Sequence, residues 1–291
     1  MSQTSRNTQM FALRQGPPMR VGVAGCQYVL SRVFKHDFWA ATCLYELDGP
    51  APCAPQPPTL RIVVKFGRDH AFCGLPVELL GRWLAGHERA IYARLAGVEG
   101  LPRCLGPVGQ NGVAIEYVEA SPLDHLNEIP PGLFDRLRET LDEIHARDVA
   151  YCDANKRSNI LVAAGARPVL VDFQIAIATR DDLPWPIGAL TRAAVRYMAA
   201  KDIYHLCKHK RKLAPDQLTP QEQRLAEKPR GLHWVHRKLT KPYRWLRRRF
   251  LRTQYDKGAL VSPSAELEDH RQPEKDTWRK PGTDRAGPGG A

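Results

Sequence analysis

The sequence predicts an α+β protein in which a sheet-rich first half is followed by a helical second half. Short β-branched and aromatic runs fill residues 21–66, a strongly periodic helix covers residues 76–96, and the pattern beyond residue 190 is helical. The 291 residues suffice for one two-lobed domain or two small domains with a sizeable core. Hydrophobic residues make up 43% and charged residues 25%, which is ordinary for a soluble globular protein.

The first half contains several predicted strands. The runs at residues 21–24, 28–30 and 41–45 predict short strands with tight connections. Residues 48–58 are dense in proline and glycine, which predicts a loop. Residues 60–66 (LRIVVKF) are rich in β-branched side chains around one lysine, and they predict a further strand.

The strongest helix signal of the first half covers residues 76–96. Pro76 suits the first turn of a helix, because proline lacks the amide hydrogen that this turn leaves unused. Four apolar residues then repeat at helical spacing: Leu80, Leu84, Ile91 and Leu95.

The second half begins with alternating short elements. Residues 113–118 predict a strand, and residues 134–145 predict an amphipathic helix. Residues 159–162 and 169–173 predict two short strands joined by a turn that contains glycine. These two strands form a hairpin, which places the residues at its open end close together.

Cysteine usage and hydropathy predict a cytoplasmic protein. Seven cysteines, an odd number without C-x-x-C spacing, argue against a disulfide framework or a structural zinc site. No window approaches 18 uninterrupted apolar residues, so we expect no transmembrane helix. The polar residues 1–14 lack the apolar core of a signal peptide.

Three polar residues lie at the open end of the predicted hairpin. Asn159 leads into one strand and Asp172 follows the other, so we expect them to converge. An amide oxygen beside a carboxylate is a hard-oxygen site that suits Mg²⁺. Asp153, on the preceding loop, could orient an attacking hydroxyl and accept its proton. Each residue alone is an ordinary turn residue, but the set of three favours a catalytic site.

A second pair of charges lies in the first half. Lys65 stands inside an apolar strand, where an ammonium group is costly unless it has a partner. Glu88 interrupts the apolar face of the helix at residues 76–96 and offers that partner. The pattern therefore predicts a salt bridge between them. The alternative is an exposed edge lysine and a solvated glutamate.

The sequence D-x-x-K-R-x-N-I-L-V from Asp153, followed by L-V-D-F, resembles the catalytic loop and the Asp-Phe-Gly motif of protein-kinase-like enzymes. The 13-residue step from Asn159 to Asp172 is the one that this superfamily would show. The resemblance covers roughly residues 20–215. It implies a two-lobed fold with a sheet-rich N-lobe and a helical C-lobe, and it implies ATP and Mg²⁺ as cofactors.

The resemblance also implies a role for each residue of the hairpin site. Asp153 corresponds to the catalytic aspartate, and Lys156 corresponds to the lysine that contacts the transferred phosphate. Asn159 and Asp172 correspond to the magnesium ligands, with Asp172 as the principal one. His145 begins a sequence similar to the family's His-Arg-Asp, but it lies too early, and we interpret it as a helix-end residue.

The same resemblance assigns ATP binding to the first half. Lys65 corresponds to the lysine that holds the α- and β-phosphates, and Glu88 corresponds to the glutamate that holds this lysine. The run from Glu116 to Val118 fits the connector between the lobes, where backbone groups of these two residues would bond adenine.

The chain departs from regulated protein kinases in several places. No G-x-G-x-x-G precedes Lys65, and backbone amides of residues 38–41, helped by Lys35, are the expected substitute. The step from Asp153 to Asn159 is one residue longer than usual, Gln174 replaces the glycine of Asp-Phe-Gly, and no Ala-Pro-Glu segment follows. These departures resemble RIO-type kinases and the bacterial kinases that phosphorylate Kdo or heptose of the lipopolysaccharide core.

The expected organisation has five parts. Residues 1–18 form a flexible lead-in, residues 19–118 the N-lobe and residues 119–225 the C-lobe. Residues 226–256 form a basic amphipathic helical segment. Residues 257–291, which are polar and rich in proline, glycine and charge, form a disordered tail.

The net charge of +12 resides in residues 201–252, which hold 16 Lys or Arg and 4 Asp or Glu. Within them, residues 228–252 interleave cations with Trp, Phe and Leu, which favours an anionic membrane surface. Nucleic acid is a less favoured partner, and a helix packed on the second lobe is the alternative.

These observations predict a kinase whose acceptor is a protein Ser/Thr or a lipid-linked lipopolysaccharide-core sugar. The expected location is the cytoplasm, peripheral on the inner face of the bacterial inner membrane. The alternative is a catalytically weak pseudokinase scaffold that binds an anionic membrane surface or RNA.

Overall fold

The computed structural model describes residues 11–49, 59–72, 74–180 and 182–227, which form two lobes. The N-lobe is a six-stranded antiparallel sheet in the order β1-β2-β3-β4-β6-β5, with one long helix after β4. Its elements are β1 (Arg20–Val23), β2 (Cys26–His36), β3 (Ala40–Leu47), β4 (Arg61–Gly67), α1 (Val77–Arg94), β5 (Cys104–Val108) and β6 (Gly112–Glu116).

The C-lobe contains two small sheets and the remaining helices. Strands β7, β9 and β10 form one sheet in the order β10-β9-β7, and β8 pairs with β11. The elements are β7 (Ala120–Pro122), α2 (Leu133–Ala146), β8 (Val149–Ala150), β9 (Ile160–Ala163), β10 (Arg167–Leu170), β11 (Ile177–Ala178), α3 (Ile187–Leu213) and α4 (Pro220–Leu225). Single 3₁₀ turns cover residues 123–125, 157–159, 164–166 and 215–217.

Strand β4 carries its lysine on the face opposite to its core residues. Ile62, Val64 and Phe66 are buried in the core of the N-lobe sheet. Because successive side chains of a strand point to opposite faces, Lys65 points away from that core. Helix α1 packs against β4 and presents Glu88, which is 2% exposed, on its buried face.

Two glycines allow α1 to lie close against the strand. A Cβ atom at Gly81 would lie 2.5 Å from the carbonyl oxygen of Arg68, and one at Gly67 would lie 2.7 Å from the carbonyl oxygen of Gly81. Neither position has room for a larger side chain. The close approach brings Glu88, seven residues along α1, to the level of Lys65 in the strand.

The two-lobed α+β architecture predicted from the sequence is confirmed. The predicted flexible lead-in, however, is packed from residue 11 onward: Ala12 and Leu13 are buried, and the Ala12 amide donates to the Asp37 carbonyl at 2.7 Å. The predicted basic segment from residue 228 onward and the predicted tail lie outside the described residues. None of the helices within the described ranges has the length and apolar composition to cross a membrane.

We expect Gly81→Ala to destabilise the protein, because the new methyl group must push α1 away from β4. Overpacking of this kind costs about 1–3 kcal/mol, and chemical denaturation measures it. Gly86→Ala on the same helix is the matched control, because a Cβ there has no neighbour within 4 Å. The control should be stabilised by up to about 1 kcal/mol, the difference in helix propensity. Equal stability of both variants would contradict the proposed close contact.

Candidate active site

The predicted salt bridge between Lys65 and Glu88 is confirmed. The Lys65 ammonium lies 3.1 Å from Oε2 and 3.3 Å from Oε1 of Glu88. Burial raises the pKa of Glu88, and Lys65 offsets only part of that effect. Burial alone would lower the pKa of Lys65, but the carboxylates of Glu88 and Asp172 raise it above its ordinary value. The lysine is therefore a permanent cation fixed between two acids.

Asp172 brings the C-lobe to this cation. Its Oδ1 accepts a short hydrogen bond from the Lys65 ammonium. Burial would raise the pKa of Asp172, but Lys65 lowers it below its ordinary value. The Asp172 backbone adopts φ of 65°, a left-handed conformation that is costly for a residue with a side chain and that concentrates at functional sites.

The β9–β10 hairpin places Asn159 beside Asp172, as its register requires. Ile160 pairs with Leu170, and the Val171 amide donates to the Asn159 carbonyl at 3.1 Å. The buried Asn159 amide group donates through Nδ2 to Oδ2 of Asp153 at 2.7 Å. Two sets of side-chain contacts therefore form a polar row at the lobe junction: Glu88, Lys65 and Asp172 in one, Asp153 and Asn159 in the other. The backbone of the hairpin holds the two sets beside each other.

Two oxygens in this row are available to a hard cation. Oδ1 of Asn159 and Oδ2 of Asp172 have no hydrogen-bond partner among the described residues. An amide oxygen and a carboxylate oxygen are ligands that suit Mg²⁺, which fills its other positions with phosphate and water. The donor set therefore fits the magnesium ion that the family resemblance implies.

Asp153 has the electrostatics of a general base. Its burial raises the pKa of the carboxyl to about 6, although Lys156 acts in the opposite direction. A carboxylate with this pKa is ionised at neutral pH and is more basic than an ordinary aspartate. Lys156 itself is exposed, and its amide donates to the Asp153 carbonyl at 3.0 Å, which keeps the two residues together.

Asp202 fixes the start of the catalytic loop, and the sequence prediction did not include it. This residue of α3 is fully buried and accepts the amides of Tyr151 and Cys152 at 2.8 and 2.9 Å. His145 donates to the same carboxylate at 3.2 Å, so the helix-end histidine also supports the loop. The available signal was that Asp202 is the single acidic residue of the 27-residue α3.

Helix α3 holds the middle of the loop as well. Lys208 donates to the Asn155 side chain at 2.7 Å, and the buried His209 donates to the Ala154 carbonyl at 3.0 Å. Burial lowers the pKa of His209 to about 3, so it is a neutral donor at ordinary pH. Helix α3 thus holds the loop on both sides of Asp153.

The segment after Asp172 is anchored by Phe173. Its fully buried ring lies between Tyr92 and Tyr151, at centroid distances of 5.1 and 4.9 Å. The left-handed conformation falls on Asp172 and not on Gln174. A glycine is therefore not required at position 174, and its replacement by glutamine introduces no backbone strain there.

Some of the polar groups in the predicted adenine connector are already hydrogen-bonded within the protein. The Glu116 carboxylate pairs with Arg103 at 3.0 Å, and the Glu116 amide donates to the Arg103 carbonyl at 2.9 Å. The carboxylate and the amide of Glu116 are therefore engaged, and the predicted adenine contact through backbone groups of Glu116 stays a prediction. The Val118 amide has no hydrogen-bond partner within the described ranges, so Val118 stays a predicted adenine contact.

The turn between β2 and β3 was expected to offer free backbone amides to phosphate, and the structure differs from this. Oδ1 of Asp37 accepts the amides of Trp39 and Ala40 at 2.8 and 2.9 Å, so two of the expected phosphate-binding amides are already occupied. Lys35 pairs with Oδ2 of Asp37 at 2.8 Å. The charge of Lys35 also helps to lower the pKa of Asp172.

Comparisons with known proteins give similarity in structure only. No family model and no curated protein sequence matches the chain. A crystal structure of the Rio2 kinase from Chaetomium thermophilum matches 62% of this chain and 56% of its own, at 12% identity and a TM-score of 0.45. A Rio2 kinase–ADP/Mg²⁺–phosphoaspartate complex from the same organism matches 69% and 58%, at 13% identity and 0.42.

The chain thus spans less than two thirds of the length of either Rio2 structure. The described residues form the two lobes that the sequence predicts. The strand with Lys65, the helix with Glu88, the predicted connector, the β9–β10 hairpin and the C-lobe helices follow one another in the order that the resemblance implies. The roles of the individual site residues stay predictions.

We expect Asp202→Ala to destabilise the protein by about 2–4 kcal/mol, because it leaves the buried amides of Tyr151 and Cys152 without an acceptor. Denaturant titration measures the loss. Asp216→Ala removes an exposed carboxylate near the end of the same helix and serves as the control, with a change within about 0.5 kcal/mol. A similar small loss for both variants would argue against Asp202 as the support of the loop.

Proposed function

We propose that this protein is an ATP- and Mg²⁺-dependent kinase that transfers the γ-phosphate to a hydroxyl acceptor. The observation that carries the proposal is the polar row across the lobe junction. A permanently charged lysine held by two carboxylates, a site for a hard cation and a carboxylate with a pKa of about 6 lie together at this junction. Phosphoryl transfer needs these three parts, because its catalysis is largely positioning and charge stabilisation.

Lys65 and Glu88 form the nucleotide-binding part of the proposed mechanism. The Lys65 ammonium is held by Glu88 and keeps its charge in a buried position. A phosphate oxygen that replaces Asp172 at this ammonium gains a charge-assisted hydrogen bond. Lys35 approaches the same region from the β2–β3 tip and adds a second positive charge for the phosphates.

Asn159 and Asp172 are the residues that would hold magnesium. When bound, the ion neutralises the negative charge of the β- and γ-phosphates. Asp172 is released for this task when phosphate takes its place at Lys65. Asn159 keeps its bond to Asp153, so the base is positioned by the same residue.

Asp153 and Lys156 form the acceptor part. Asp153 orients the acceptor hydroxyl and takes its proton, because burial has made this carboxylate more basic than usual. The exposed Lys156 beside it offers a charge to the transferred phosphate. The acceptor hydroxyl belongs to a protein Ser/Thr or to a lipopolysaccharide-core sugar; the second is supported by the basic, aromatic residues 228–252, which lie outside the described residues.

A pseudokinase scaffold is the second candidate, and one specific observation favours it. The groups that would bind phosphate are already hydrogen-bonded within the protein. Asp172 accepts from the Lys65 ammonium, and Asp37 accepts from the amides of Trp39 and Ala40. A protein that keeps these contacts would not bind nucleotide.

We expect Asp153→Asn to abolish phosphate transfer while leaving folding intact. Ionised Asp153 is penalised in the folded protein, because its pKa is raised; the stability that this pKa shift provides is present at low pH and is lost as pH rises through about 6. At pH 7 the amide variant should therefore be at least as stable as the wild type. Kinase assays and thermal unfolding at pH 7 measure both properties, and unchanged transfer would disprove the assignment of Asp153.

In the wild-type protein, kcat/KM should fall below a pH of about 6, by up to tenfold per unit, as Asp153 takes up a proton. The same profile measured with a variant of an exposed carboxylate, Asp216→Asn, should be unchanged. A profile that stays flat between pH 7 and pH 5 would exclude Asp153 as the base.

Nucleotide binding separates the two candidates. At free Mg-ATP one hundred times its Kd, the wild type should be stabilised by about 2.7 kcal/mol. Lys65→Met should lose this stabilisation, because phosphate loses its cation, whereas exposed Arg167→Met should retain it. If Mg-ATP does not shift the unfolding temperature of the wild type, the scaffold is favoured over the kinase.

A further inference from the structure

An apolar stripe lies exposed along the first half of α3. Ile187, Leu190 and Tyr197 are 50%, 70% and 47% exposed, and Trp185 just before the helix is 83% exposed. Spacings of three and seven residues place the three helical members on one face. These four residues are called the α3 stripe. Large apolar side chains gathered in this way on a surface indicate an interaction site.

The charged residues that α3 exposes beside the stripe are cations. Arg196 is exposed next to Tyr197, and the Lys201 ammonium lies 4.7 Å from the centre of the Tyr197 ring. The exposed Asp182, which precedes the helix, is paired with Arg180 at 2.8 Å. The one acidic residue of the helix, Asp202, is fully buried and engaged by the catalytic loop. The described surface of α3 therefore presents cations and apolar groups without any carboxylate of its own.

This combination fits an anionic lipid surface. Aliphatic side chains enter the acyl boundary, Trp and Tyr settle at the polar interface, and cations attract anionic headgroups. A nucleic acid would use the cations but would leave Ile187 and Leu190 in water. We propose that the α3 stripe, with its flanking cations, docks the protein on an anionic membrane surface.

The position of the stripe links docking to the site. The same helix holds the catalytic loop through Asp202 and through Lys208, which donates to Asn155. Docking through α3 therefore places Asp153 at a fixed position relative to the bilayer. Resting on the proposed kinase function, this position selects acceptor hydroxyls that belong to membrane-anchored molecules.

Helix α1 supplies a matched control surface. Leu79 and Trp83 are 56% and 62% exposed, which is similar to the α3 stripe. The setting differs, because Trp83 stacks on His87 at 5.3 Å and the acidic Glu78 lies beside Leu79. Glutamate substitutions on either surface add the same charge and remove a similar apolar area.

Co-sedimentation of the full chain with lipid vesicles tests the proposal. The vesicles contain phosphatidylglycerol in phosphatidylethanolamine, and pure phosphatidylcholine vesicles are the neutral reference. The wild type should bind the anionic vesicles, and binding should weaken as salt screens the cations. The double variant Leu190→Glu/Tyr197→Glu should bind at least tenfold more weakly, whereas Leu79→Glu/Trp83→Glu should bind as the wild type does.

The outcomes separate this proposal from its competitors. Equal binding by the two double variants would overturn it and would assign membrane affinity to residues 228–252, which are intact in every variant. Failure of the wild type to bind anionic vesicles, or binding of RNA that depends on Leu190 and Tyr197, would also overturn it. Thermal unfolding checks that both variants are folded. Because Asp153→Asn should still bind vesicles, loss of kinase activity and loss of docking are distinguishable.

Discussion

The buried ammonium of Lys65 is the constraint on which the site depends. A cation in this position is unfavourable unless carboxylates compensate it. One comes from the N-lobe helix through Glu88, and the other comes from the C-lobe hairpin through Asp172. The interaction therefore joins the two lobes at the point where phosphate would bind. It also explains the glycines of the β4–α1 contact, because only a close helix brings Glu88 to the lysine.

The same constraint determines how the site would open. The two carboxylates already compensate the positive charge of Lys65. An incoming phosphate must therefore displace one of them. The Glu88 side chain is 3% exposed, whereas the Asp172 side chain is 32% exposed. Displacement of Asp172 is therefore the less costly exchange. At the β2–β3 tip, Asp37 accepts two of the amides that the sequence analysis expects to contact phosphate.

The predicted site residues left signals in the nearby sequence, whereas the residues that hold them in place did not. Asn159 and Asp172 flank a hairpin, and Lys65 and Glu88 interrupt apolar patterns, so each left a signal within a few positions. Asp202 acts on a loop fifty residues away, and such a tertiary contact leaves no local pattern. The contacts of the predicted connector likewise left no local signal. The pairing of Glu116 with Arg103 depends on which strand lies beside β6, and a short apolar run does not encode that.

Helix α3 combines two tasks because its faces are chemically different. Its buried face carries Asp202 and His209, which hold the catalytic loop with short hydrogen bonds. Its outer face carries large apolar residues and cations. Both sets of side chains are attached to the backbone of one helix. The distance between the loop on one face and a surface bound on the other is therefore fixed. The loop that holds Asp153 therefore has a defined height above whatever surface Leu190 and Tyr197 contact. Under the proposed kinase function and docking, acceptor selection would follow from this geometry, and a deep pocket for the acceptor would not be required.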